Sequence, residues 1–470
     1  MMKPFNPAAR HWHARYHQLL LLACLLLAAT TGWAQNTVFA PLPSDDGILS
    51  QLYTRFEEQH KQQVTSLPKE NREDYKKIYQ ARWDHIKAKF DDKEIYTDKA
   101  AQQYLDAISN ELIRTNPVLA QKTFRCFFSR SAVPNASYIG HGIILFNMGL
   151  FHRLDNESQA AFVIAHEIAH FIMNHSENAI NKYVAFVNSK EIQAELRDIK
   201  GSQYGKRDRF DKLVKDMTFS HRRHSRDHET EADSVAVALL SNTRFDPRGA
   251  LSTLALLDTI DAEPLDMAEA LKAQFHTPAY PFQKKWIAKE EGLLGGHANL
   301  VADTVLADSL KTHPDCQLRI RQLMPAIERQ AQSGKQLNAI DVARFEQFRQ
   351  HFRYETIAYT FSNKNYTRSL YLTLALLQQH PGDQYLVTHT GNLFNSMYTA
   401  QKTHTLGKYV DLPTPGYSAS YNLLLQFVQN LHREQYAAIG YHFLSRHQEK
   451  LGTYEPFKAV YNNSAQIVKE

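Results

Sequence analysis

Apolar residues recur along most of this chain at three- and four-residue intervals, the spacing of one face of a helix. Leu105, Ile108 and Leu112 set that period in a charged stretch from about 47 to 113, which predicts helices. Two short departures follow. Residues 124–128 and 138–146 read as strands. The second has Gly140 and Gly142 inside it, where glycine marks a bulge or the close approach of another backbone. The helical period then returns. Asn156 is placed to cap a helix predicted over about 157–174, and Gln159 completes a capping-box pattern. A charged stretch at 188–224 reads as an insertion. A further helix is predicted over 225–241, and Asp246-Pro247 opens another. Residues 262–300 carry Gly, Pro and aromatic residues and read as a long loop or lid. Helices resume near 303–333.

Beyond about 340 the pattern changes to helical hairpins rich in Tyr, Phe, Leu and Gln. Asn365-Tyr366 with Leu370, Leu372 and Leu374 resembles Gln435-Tyr436 with Ile439 and Phe443. The offset from Tyr366 to Tyr436 is close to two repeats of about 34 residues, the length of a tetratricopeptide repeat. An unrelated helical domain is the alternative.

The amino-terminal end follows a different logic. Lys3, Arg10 and Arg15 precede an apolar run at 19–29, then small residues up to Ala34-Gln35. This is the layout of a secretory signal peptide, with cleavage expected near Ala34. The run falls short of the roughly 18–20 residues a spanning helix needs. No later stretch reaches that length, so no transmembrane segment is expected in the mature chain.

Composition adds bounds. With 43% hydrophobic and 22% charged residues, the chain is apolar enough to build cores. Removing the three basic residues of the leader lowers the formal net charge from +5 to +2. That near-neutral balance argues against a nucleic-acid partner. Cys126 and Cys316 remain in the mature chain, and export permits either a disulfide between them or two buried thiols.

The chemistry concentrates in His166-Glu167-Ile168-Ala169-His170. Residues four apart share a helix face, so His166 and His170 can grip one metal ion, with Glu167 in reach of its water. Two imidazoles and one further protein ligand leave a position open on zinc, as catalysis requires. Zinc lowers the pKa of its water, and Glu167 can take the proton as general base. With 23 histidines in 470 residues, the five-residue pattern arises by chance in roughly one such chain in fifteen. Its setting in an apolar helix, where unpaired polar groups are costly, says more.

A third ligand six residues after His170 fails, because Met173 and Ser176 occupy the positions that need Gly and His. His175 is at the wrong offset. Glu229-Thr230-Glu231-Ala232-Asp233 offers a carboxylate instead. Glu229 can bind the metal while Asp233, four residues on, holds a ligand histidine from behind. Glu231 should face away, in a solvent or salt-bridge role. His221, His224 and His228 lie nearby as rival ligands, or as solvated surface.

The segment 135–150, then HEIAH, then Ser225-Arg226-Asp-His-Glu229-Thr-Glu-Ala-Asp233, then His313-Pro314 with Arg319, resembles the gluzincin family of the CAAX prenyl protease and HtpX. The likeness covers about residues 100–330. It implies zinc held by His166, His170 and Glu229, with Glu167 as base. It also implies that His313 and Arg319 line the cleft, His313 as a stabiliser of the oxyanion. The second strand, with Tyr138, Gly140 and Gly142, would then bind an extended peptide by strand addition. The export signal and the repeat-like tail resemble the soluble periplasmic branch of that family. His276 and His297, on the 262–300 loop, are candidates to latch the open zinc position.

The expectation is an α+β, mainly helical protein. A leader at 1–34 and a helical extension at 35–100 precede a zincin-type metallopeptidase domain with a small sheet at 101–335. An all-α tetratricopeptide-like domain follows at 340–470. The expected activity is zinc-dependent peptide hydrolysis in the periplasm, with one Zn2+ per chain. Proteins or peptides are the substrates, and a protein partner is expected on the repeats. The rival is a chaperone-like or scaffold protein with a regulatory or vestigial zinc site. The intact Glu167 argues against it, because holding a metal does not need that carboxylate.

Overall fold

A computed structural model describes residues 38–201, 226–288, 315–330 and 334–470. The expected leader, His221, His224, His297 and His313 lie outside them. Within 41–470, strands β1 (Arg125–Ser129), β2 (Ala136–Gly140) and β3 (Ile143–Asn147) form a sheet in the order β1-β3-β2. β1 runs parallel to β3 and β2 antiparallel to it. Alternate residues of these strands go to opposite faces. Cys126, Phe128, Ile144 and Phe146 enter the central core. Phe127, Ile143 and Leu145 enter a separate core with Leu49, Phe56, Trp83 and Phe90.

Those last residues belong to helices α1 (Asp46–Thr65) and α2 (Arg72–Asp91). The amino-terminal helices therefore cover the second face of the sheet. This is why β1 and β3 read as continuous apolar runs, as strands buried on both faces do. Helix α3 (Lys99–Thr115) packs on the other face through Leu105, Ile108 and Leu112, the period seen in the sequence.

The stretch expected as one strand at 138–146 is a hairpin. Gly140 (φ 106°), His141 (φ 51°) and Gly142 (φ 71°) are three successive positive-φ residues, which no continuous strand accommodates. A side chain at Gly142 would meet the Thr123 carbonyl oxygen at 2.5 Å. The two glycines make the turn, and neither lines the cleft described below.

After the short α4 (Met148–Phe151) comes the central helix α5 (Glu157–Ile172). The Asn156 side chain accepts from the Gln159 amide at 3.1 Å, and the Gln159 side chain accepts from the Asp155 amide at 2.6 Å. The reciprocal bond thus falls one residue before the cap. Every residue from Glu157 to Ala169 except His166 is buried. Glu157 is satisfied by the Tyr104 hydroxyl and by the amides of Ala339, Ile340 and Asp341. Asn174, at φ 55°, ends the helix and turns the chain into α6 (His175–Val187). α7 (Lys190–Gly201) begins the stretch expected as an insertion.

Helix α8 (226–241), α9 (Gly249–Thr259) and α11 (Cys316–Gln330) complete this side, with α10 (Met267–Phe275) between them in sequence. α10 corrects the reading of 262–300 as a lid. Met267, Leu271 and Phe275 recur every four residues, and they enter the carboxy-terminal core together with Trp286. His276 is exposed, accepts from the Phe282 amide at 3.3 Å, and does not line the cleft.

The rest is helical: α12 (Val342–Ser362), α13 (Tyr366–Gln379), α14 (Gln384–Lys402), α15 (Ala419–Asn430), α16 (Arg433–Ser445), α17 (Gln448–Leu451) and α18 (Glu455–Ile467). α12 joins two cores, burying Phe345, Phe348 and Phe352 with the sheet side and Ile357 with the carboxy-terminal helices. Cys126 and Cys316 are buried thiols and form no disulfide. No helix among the described residues is long and apolar enough to cross a membrane.

Candidate metal centre

His166 and His170 stand one turn apart on α5, and their Nε2 atoms lie 3.0 Å from each other. Glu229, on α8, brings Oε2 to 3.4 Å from His166 Nε2 and Oε1 to 3.4 Å from His170 Nε2. Among the described residues, these three form the group of metal-ligating side chains, with ligand atoms all within 4.8 Å of one another. Two imidazoles and a carboxylate aimed at one point suit a transition-metal ion with a position left open.

The electrostatics fit a cation there. Asp233 Oδ1 lies 2.9 Å from His166 Nδ1, on the far side of the ring from the cleft. Burial opposes charge on His166, yet Asp233 and Glu229 outweigh it and push its pKa up to about 10. The two carboxylates thus favour positive charge beside that ring. Burial alone would raise the Glu229 carboxyl, but His166, His170 and Arg319 hold it well below the usual range. Arg319 donates from Nε to Asp233 Oδ2 at 2.6 Å and from Nη2 to Asp233 Oδ1 at 2.7 Å. Its Nη1 is 3.3 Å from Glu229 Oε2. Arg319 therefore lines the cleft, as expected, and holds both carboxylates.

Glu167 is buried at the same cleft, whose volume is about 430 Å³. Burial raises its carboxyl pKa, opposed by His166, His170 and the Tyr138 amide. That amide donates to Glu167 Oε2 at 2.7 Å. The Asn135 carbonyl accepts from the Asn147 amide, so alternation turns Ser137 toward β3 and leaves Ala136 and Tyr138 facing the cleft. Of the three residues expected to bind substrate, Tyr138 is there, with its N–H held by Glu167. Gly140 and Gly142 shape the turn behind it.

Two residues have contacts that the sequence reading did not foresee. His175 is no metal ligand, but its Nδ1 lies 2.9 Å from His170 Nδ1, and its Nε2 lies 3.0 Å from Glu231 Oε2. His228 stacks on His175 with centroids 4.3 Å apart. The signal was a histidine five residues after His170, next to an Asn suited to left-handed backbone.

Comparison with known proteins agrees with this geometry. Residues 99–326 match the model of peptidase family M48. The chain is also similar to a β-barrel assembly-enhancing protease of Yersinia pestis, 24% identical over 164 residues, or 32% of this chain. The match spans only 31% of that relative's length. The histidine pair, Glu167 and Glu229, gathered in one cleft, all fall inside the matched residues, so the 99–326 segment is similar to peptidase family M48 in its site as well as its sequence.

Proposed function

We propose that this protein is an exported zinc-dependent endopeptidase that acts on proteins of the bacterial envelope, in the periplasm. The observation that carries the reading is the convergence of His166, His170 and Glu229 at a cleft that also holds Glu167. Zinc suits this donor set, and when bound it supplies a Lewis acid that polarises a carbonyl and acidifies water.

The remaining work falls to the chain. Glu167 has one oxygen tied to the Tyr138 amide, which leaves the other to accept and return a proton. Asp233 and Arg319 fix His166 and Glu229 from behind. The outer edge of β2, at Ala136 and Tyr138, offers backbone groups to an extended peptide. At Tyr138 an incoming strand competes with Glu167 for the amide. His313, outside the described residues, is assigned to the oxyanion on the resemblance of its His-Pro element.

Envelope protein quality control is proposed as the role, and the relative's name, a β-barrel assembly-enhancing protease, supports it as far as β-barrel assembly. The leader-like residues 1–34 support export. The carboxy-terminal helices are assigned a recruiting role, as tetratricopeptide-like repeats that hold substrates or a partner protein. The test is metal removal. Chelator-stripped protein should fail to cleave unfolded casein, and stoichiometric zinc should restore cleavage. Undiminished cleavage by the stripped protein overturns the reading.

A further inference from the structure

We infer that His175 and Glu231 form a positioning relay that fixes the ring and tautomer of His170. The inference rests on the metallopeptidase reading above and concerns how the two ligand histidines are held.

Two ring nitrogens at hydrogen-bond distance that do not share a metal ion must be one donor and one acceptor. A histidine that offers its Nε2 lone pair to a metal carries its proton on Nδ1. His170 Nδ1 therefore donates to His175 Nδ1, 2.9 Å away. His175 must then carry its own proton on Nε2, which faces Glu231 Oε2 at 3.0 Å. One set of protons satisfies the whole chain of contacts. It leaves His175 no lone pair for a metal, in keeping with its absence from the ligand group.

The geometry is built, not incidental. The left-handed Asn174 turns the chain so that His175 comes back against His170. His175 is 5% exposed, and His228 stacks on it with rings 6° from parallel, which fixes its plane. α8 thus supplies the ligand Glu229, the stacking His228, and the carboxylates behind both histidines, Asp233 and Glu231. The two arms differ. The His166 arm is short and sealed, ending at Asp233 and Arg319, both buried. The His170 arm is longer and ends at Glu231, whose side chain is 48% exposed.

Partners of this kind typically contribute 10–100-fold in metal affinity. The experiment measures zinc affinity of the full chain in a chelator-buffered series, with melting temperatures before and after zinc. His175→Phe keeps the ring and its stack but removes the acceptor. It should weaken zinc binding roughly 10–100-fold and shrink the zinc-induced rise in melting temperature. His175→Asn, whose carboxamide oxygen can accept, should recover much of the affinity. A purely structural role would instead lower the melting temperature of the zinc-free protein and leave zinc affinity unchanged. Glu231→Ala, at a side chain 48% exposed, should weaken binding several-fold. Wild-type zinc affinity in both His175→Phe and Glu231→Ala overturns the relay, and if His175→Phe does not fold, wild-type affinity in Glu231→Ala alone does so. A wild-type chain that takes up no zinc overturns the metallopeptidase reading itself.

Discussion

Arg319 and Asp233 form a two-point ion pair directly behind the His166 ring, with contacts of 2.6 and 2.7 Å and side chains 5% and 1% exposed. Removing one member of such a pair strands the other charge. Arg319→Ala should destabilise the protein by about 3–5 kcal/mol in denaturant unfolding. Arg319→Lys should recover little of that loss, because an ammonium cannot reproduce the fork across both Asp233 oxygens. Equal unfolding midpoints for Arg319→Lys and wild type would contradict the geometry.

Glu157 plays a comparable part at the start of α5, where it accepts from one hydroxyl and three amides. Each buried donor left without an acceptor costs about 1–3 kcal/mol. Glu157→Ala should therefore cost at least about 3 kcal/mol, read from urea unfolding. A loss below about 1 kcal/mol would mean that the 339–341 segment finds other acceptors.

Glycine substitutions separate strain from collision. Gly382 (φ 78°) has open space around it, so Gly382→Ala pays only for the left-handed backbone, about 1–2 kcal/mol. Gly142→Ala adds a contact of 2.5 Å with the Thr123 backbone. Its melting temperature should fall well below that of Gly382→Ala. Equal shifts would show that the β2–β3 turn yields freely.

The two cysteines give a chemical check. Burial pushes the Cys126 thiol up to about 12, so it stays protonated, and unreactive, at ordinary pH. A thiol reagent should label neither Cys126 nor Cys316 in the native mature chain and both after denaturation without reductant. Two thiols that appear only after reduction would establish a disulfide.

What the sequence made legible follows physical range. His166 and His170, and Glu229 and Asp233, are pairs four apart on helices, so local periodicity placed each on one face. Arg319 came from the resemblance, and its grip on Asp233 needed the fold. His175 was set aside as a metal ligand, in keeping with the ligand group, but its contact with His170 was not foreseen because Asn174 breaks the helix and folds the chain back. Residues 262–300 read as a loop because Gly, Pro and aromatic residues are scattered through them. The four-residue spacing of Met267, Leu271 and Phe275 was present but short, and its burial depends on Phe394 and Phe443, over a hundred residues later. The hairpin at 136–147 was hidden for a similar reason, because nothing local announces a left-handed His141.

In the proposed mechanism Glu167 moves the proton while His166, His170 and Glu229 hold the metal. Glu167→Gln separates the two roles, because it keeps the shape of the side chain and an acceptor for the Tyr138 amide. Zinc content and casein cleavage should be measured on the same preparation. The expected result is one zinc per chain, as in wild type, with cleavage reduced by about 100-fold or more. Wild-type cleavage by Glu167→Gln at full zinc content would contradict it.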